Sequence, residues 1–134
     1  MRLSRRRLEQ MINHCRAGLP DEACGLLAGD GDTVQAVYGV ENARHSPFAY
    51  ELGEDGYRLV VALDEAGRLL GCFHSHTGSA AYPSETDRRQ AFWPIRYVIV
   101  SLSDREHPAV RAFRFVKKNE RSLADVVEEA VEVV

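Results

Sequence analysis

The sequence predicts an α/β (α+β) domain in which helices pack on a mixed β-sheet. Three observations carry that reading. Two stretches place apolar residues at helical spacing, and several short apolar runs are bounded by Gly, Pro and Asp. The length, 134 residues, is near the commonest size for one domain. Residues 1–134 are therefore read as a single domain.

Residues 4–18 are expected to form a helix. Leu8, Met11, Ile12 and Cys15 recur at i, i+3, i+4 and i+7, Ser4 suits the N-cap, and Gly18 and Pro20 mark the end. Residues 22–29 and 33–40 read as two strands, with Gly29-Asp30-Gly31-Asp32 between them as a hairpin signal. A loop over 41–48 ends at Pro47. A second helix over 54–66 turns Leu59, Val60, Leu63 and Ala66 to one face and stops at Gly67. Arg68–His76 reads as a strand and Thr77–Pro83 as a loop. Ser84 then opens a short helix that must end by Trp93, because Trp93 precedes Pro94. Residues 96–102 and 109–116 make a further strand pair. The tail stays open between helix and strand: Leu123, Val126, Val127, Ala130, Val131 and Val134 fit helical spacing, while Val131 and Val133 alternate.

Composition excludes several classes. With 45% hydrophobic and 28% charged residues the chain is not disordered. No run approaches the roughly 18 apolar residues of a membrane span, and no signal peptide is read at the basic start. A net charge of −3 argues against a broad nucleic-acid surface. Three cysteines make no disulfide framework, and a reducing cytoplasm is the expected compartment. Cys15, Cys24 and Cys72 read as core; His14, His45 and His107 read as surface. The Arg5-Arg6-Arg7 run reads as a solvated helix face.

The chemistry is concentrated in Gly71-Cys72-Phe73-His74-Ser75-His76 and, seven residues on, Ser84-Glu85-Thr86-Asp87. Residues two apart on a strand share a face, so His74 and His76 offer two imidazoles to one metal ion. Asp87 is placed to be the third ligand. With Ser84 as N-cap it is the N3 residue of the new helix, where the helix field favours its ionised form. Two His and one carboxylate leave one position of a tetrahedral zinc site open, which is the catalytic pattern. A zinc hydrolase also needs a base, and Glu22, a carboxylate at the start of an apolar strand, is the candidate. Cys72 shares the parity of the histidines but reads as a small buried hydrophobe. Tyr82 and Phe48 either shape a groove near the site or merely pack.

Together, Glu22, His74, His76, Ser84 and Asp87 resemble the signature of the JAMM (MPN+, Mov34/MPN/PAD-1) zinc metallopeptidase family, a distant Glu followed by H-x-H-x7-S-x2-D. The resemblance runs from Pro20 to about residue 116. It implies a curved mixed β-sheet flanked by helices, related to deaminase-like architectures. It implies one Zn²⁺ held by His74, His76 and Asp87, Glu22 as general acid/base, and Ser84 stabilising the tetrahedral intermediate while also capping its helix. The Glu-Ala-Cys-Gly opening, the Asn42–Pro47 loop and Thr77, where many relatives have Pro, are similar to small bacterial members, the sulfur-carrier-protein–cysteine peptidases. That likeness implies a ubiquitin-like sulfur-carrier partner with a C-terminal Gly-Gly, bound extended beside a sheet edge, with neither nucleic acid nor membrane involved. The implied reaction releases cysteine or a short extension after the Gly-Gly. Two alternatives stand beside it: an isopeptidase freeing a ubiquitin-like modifier from Lys side chains, and a non-catalytic MPN-type scaffold. A nucleobase deaminase is disfavoured, because the chain has no C-x-x-C.

Overall fold

The computed structural model describes residues 1–91 and 94–134. Strand β1 (Arg2–Leu3) and helix α1 (Arg5–Gly18) open the chain, and Ser4 Oγ accepts the Arg7 backbone N–H as the N-cap. Met11 and Cys15 are fully buried, with Leu8 and Ile12 packed beside them, as the helical spacing predicts. His14 corrects a sequence expectation. It is half-buried, its Nε2 lies 2.9 Å from Cys24 O, and its ring meets Phe73 edge-on. Gly39 makes room for it: a Cβ there would stand 2.3 Å from His14 Nδ1.

Strands β2 (Cys24–Asp30) and β3 (Thr33–Val40) form the expected antiparallel hairpin, with Gly31 at φ +60 in its turn. A long loop, closed by a bridge between Asn42 and Leu52, leads to helix α2 (Glu54–Glu65). Val60 is buried and Leu59 and Leu63 pack beside it, but Ala66 is exposed, because the helix has already ended there. Strand β4 (Leu69–His76), helix α3 (Glu85–Gln90), and strands β5 (Arg96–Ser101) and β6 (Ala109–Val116) follow the expected order. Trp93, the expected limit of the third helix, lies outside the described residues. The tail forms strands, β7 (Asp125–Glu129) and β8 (Glu132–Val133).

The eight strands of the described residues make one curled mixed sheet in the order β7-β6-β5-β4-β2-β3-β1-β8. The pair β4–β5 is parallel, while β2 pairs antiparallel with both β3 and β4. Side chains alternate between two layers. Phe73, Val98 and Val100 point into the cluster with α1, and Leu26, Cys72 and Tyr97 into the cluster with α2. The edge strands are β7 and β8, so β4, which carries both histidines, is interior. Among the described residues no helix is long and apolar enough to cross a membrane.

Candidate metal centre

His74 and His76 lie on the same face of β4 at its C-terminal end, both buried. Cys24 pairs with His74 across β2–β4. The ladder continues beyond β2: Ser75 N–H donates to Ala23 O at 2.9 Å, and Ala23 N–H donates to Ser75 Oγ at 2.9 Å. This carries Glu22 alongside His76, and Glu22 is buried. Its backbone is held from a second side. Glu22 N–H donates to Ser46 O at 2.9 Å, and Asn42 Nδ2 donates to Glu22 O at 2.8 Å.

Asp87 arrives from α3. Ser84 Oγ accepts the Asp87 N–H at 3.0 Å, and Asp87 Oδ2 accepts the Ser84 N–H at 2.9 Å, a reciprocal capping box. The same Oδ2 lies 3.2 Å from His74 Nε2 and 3.2 Å from His76 Nε2, and the two nitrogens are 3.2 Å apart. A tetrahedron with bonds of 2.0–2.1 Å has edges of about 3.3–3.4 Å. The three atoms therefore fit one face of a zinc coordination sphere. Of the three candidate ligands, His76 has its second nitrogen engaged, with Nδ1 2.8 Å from Ala80 O.

The electrostatics follow from this crowding. Burial alone raises the Asp87 carboxyl, but hydrogen bonds from His74 and His76 outweigh it and hold it well below the usual carboxylate range. Burial disfavours the charged form of His76, yet the bonds to Asp87 and Ala80 O raise its pKa. Burial pushes Glu22 up to about 7, against the pull of His76 and with the help of the Asp87 charge. A carboxylate poised there is suited to take and return a proton near neutrality.

All five residues singled out in the sequence thus come together. Glu22, His76 and Ser84 line a cavity of about 270 Å³ together with Phe48 and Thr77. Thr77 Oγ1 donates to Pro47 O at 3.0 Å and ties its two walls together. Tyr82 instead packs edge-on against Phe113, and Cys72 is a buried thiol whose pKa burial pushes up to about 12. Three residues beyond the five matter here: Ser75, Asn42 and Tyr50. Tyr50 stacks on the His74 ring, with centroids 4.4 Å apart.

A family model described as prokaryotic homologs of the JAB domain matches residues 4–116. The chain belongs to the JAB family. A JAB-family relative from Mycobacterium tuberculosis, named CysO-cysteine peptidase, is 38% identical over 130 residues, covering 92% of this chain and 84% of that one. A Thermus thermophilus relative, named a probable TtuB-protein conjugate cleaving protease, is 33% identical over 120 residues, covering 87% and 76%. The solution structure of protein DSY2949 from Desulfitobacterium hafniense superposes with a TM-score of 0.80 at 36% identity, over 99% of this chain and 92% of that one. The curled sheet with its helices is accordingly a JAB/MPN fold.

Proposed function

We propose that this JAB-family chain is a zinc metallopeptidase that hydrolyses the amide bond after the C-terminal Gly-Gly of a ubiquitin-like sulfur carrier, releasing cysteine or a short extension. The observation that carries the reading is the 3.2 Å triangle of His74, His76 and Asp87 with a buried Glu22 in the adjoining cavity. The relative named CysO-cysteine peptidase supports the substrate class. Residues 1–134 are taken to act as one domain, in the cytoplasm, on a protein partner.

His74, His76 and Asp87 would hold the ion. A bound zinc supplies Lewis acidity, which acidifies water and polarises a carbonyl. Glu22 accepts the proton of the attacking water and returns it to the leaving amine. Ser84 Oγ accepts the Asp87 N–H, which leaves its own hydrogen free to donate to the developing oxyanion. The Gly-Gly tail is taken to lie extended, with its end in the cavity that Pro47, Phe48 and Thr77 line beside Glu22 and His76. A Gly-Gly tail suits a passage with little room for side chains.

The Thermus thermophilus relative's name favours a second reading, cleavage of protein conjugates, for which we take Lys side chains as the attachment point. The non-catalytic scaffold is disfavoured by the complete donor set. Mass spectrometry separates them. Zinc-loaded protein is incubated with carrier–cysteine, carrier bearing a short peptide extension, and a Lys-linked conjugate. Release of cysteine is the expected result. Cleavage of the Lys-linked conjugate alone would move the chain to the isopeptidases, and cleavage of none to the scaffolds.

A further inference from the structure

The two histidines are held by different means. His76 has a hydrogen-bond partner at each nitrogen: Nδ1 bonds Ala80 O, so Nε2 faces Asp87. His74 does not, since its Nδ1 is buried and has no hydrogen-bond partner among the described residues. A ligating imidazole is ordinarily oriented through its second nitrogen. In place of that bond, His74 has the ring of Tyr50 lying on it, 4.4 Å between centroids and 24° between planes.

Tyr50 is well fixed for this task. Asn42 closes its loop: Oδ1 accepts the N–H of Arg44 and Glu51, and Nδ2 donates to Ala49 O. Both chain neighbours of Tyr50 are thereby pinned. Tyr50 and Cys72 line the same cavity, and Cys72 is two residues before His74 on the same strand.

We propose that Tyr50 is the positioning residue for His74, restraining the imidazole by stacking where a hydrogen bond is missing, and that it thereby sets the affinity of the site for its metal. The proposal rests on reading His74, His76 and Asp87 as metal ligands. Without the stack, the His74 ring is free to turn and present Nδ1 instead of Nε2, which breaks the ligand triangle. The ring face, not the hydroxyl, carries the effect.

The test compares wild type, Tyr50→Phe and Tyr50→Leu by zinc competition against a chromogenic chelator and by the visible spectrum of the Co²⁺-substituted protein. Tyr50→Phe keeps the stack and should bind zinc within about threefold of wild type, with unchanged Co²⁺ bands. Tyr50→Leu should lose roughly 10–100-fold in affinity, the range seen when a ligand's support is removed, and its Co²⁺ bands should shift. Circular dichroism establishes that each variant is folded, and Tyr50→Met replaces Tyr50→Leu if that one is not. Wild-type affinity and spectrum in the folded non-aromatic variant would overturn the proposal, as would equal losses in Tyr50→Phe and Tyr50→Leu. His76→Ala is the control for the metal site itself. If it binds zinc as tightly as wild type, the ligand assignment fails and the role of Tyr50 with it. If it loses zinc while the non-aromatic Tyr50 variant does not, only the role of Tyr50 fails.

Discussion

Ser84 and Asp87 cap one another, and the oxygen that closes the cap is the one that faces the two imidazoles. Asp87 Oδ2 accepts the Ser84 N–H while Ser84 Oγ accepts the Asp87 N–H. One side-chain pair thus starts α3 and aims the carboxylate. Ser84→Ala removes the cap acceptor and the candidate oxyanion donor together. It should cost about 1 kcal/mol of stability and about 10²-fold in kcat. Melting curves read the first and single-turnover kinetics the second. A variant as active as wild type, with only the stability loss, would leave Ser84 a cap and nothing more.

Asp87→Asn separates cap from ligand in the other direction. The amide oxygen can still accept the Ser84 N–H, so α3 should persist, but the charge that suits a divalent ion is gone. Elemental analysis should find about one zinc per chain in wild type and little in Asp87→Asn or His76→Ala. Equal zinc in all three would refute the ligand set.

The site was legible because its parts obey local rules. His74 and His76 follow the two-residue strand repeat, and Asp87 follows the capping pattern, so each needs only its own element to be placed. The α1 face and the β2–β3 hairpin were legible on the same grounds. What escaped depends on distant chain. Two-residue strands such as β1 and β8 carry no period of their own and exist only by pairing with each other and with β3. The tail satisfied two periods at once, and its pairing with β6 decided for strand. His14 is drawn in by Cys24 O and by the gap at Gly39, neither of which helical spacing reveals. Tyr50 sits in a loop closed locally by Asn42, but it meets His74 only through the fold.

Ser75 lies between the two histidines and faces the other way, yet it sets the position of the base. Its Oγ accepts the Ala23 N–H, directly beyond Glu22. Ser75→Ala leaves a buried N–H without an acceptor and should destabilise the fold by about 1–3 kcal/mol. It should also lower kcat, since Glu22 is released on one side. Ser75→Thr keeps an acceptor and should lose less of both. Denaturant titration and kinetics on the two variants check this; equal losses would show that side-chain volume, not the hydrogen bond, governs the position.

Glu22 is held where its charge is unwelcome, and this should be visible in stability against pH. Burial raises its pKa from 4.5 to about 7, with the opposing pull of His76 too weak to cancel it. A group whose pKa is raised on folding favours the fold fully below the unfolded value. That benefit is lost as pH rises through the folded value. In the metal-free protein, therefore, wild type should lose stability relative to Glu22→Gln between about pH 4.5 and pH 7. The ceiling on the change is roughly 3 kcal/mol. Chelator-treated wild type and Glu22→Gln should differ in melting temperature more at pH 8 than at pH 5, in favour of Glu22→Gln. Zinc should narrow the gap, because a nearby cation favours the carboxylate. The same substitution should retain zinc and lose at least about 10²-fold in activity, since it removes the base and no ligand. A pH-independent difference in melting temperature would show that the Glu22 carboxylate is not strained by its surroundings, and near-wild-type turnover would remove it from the proton path.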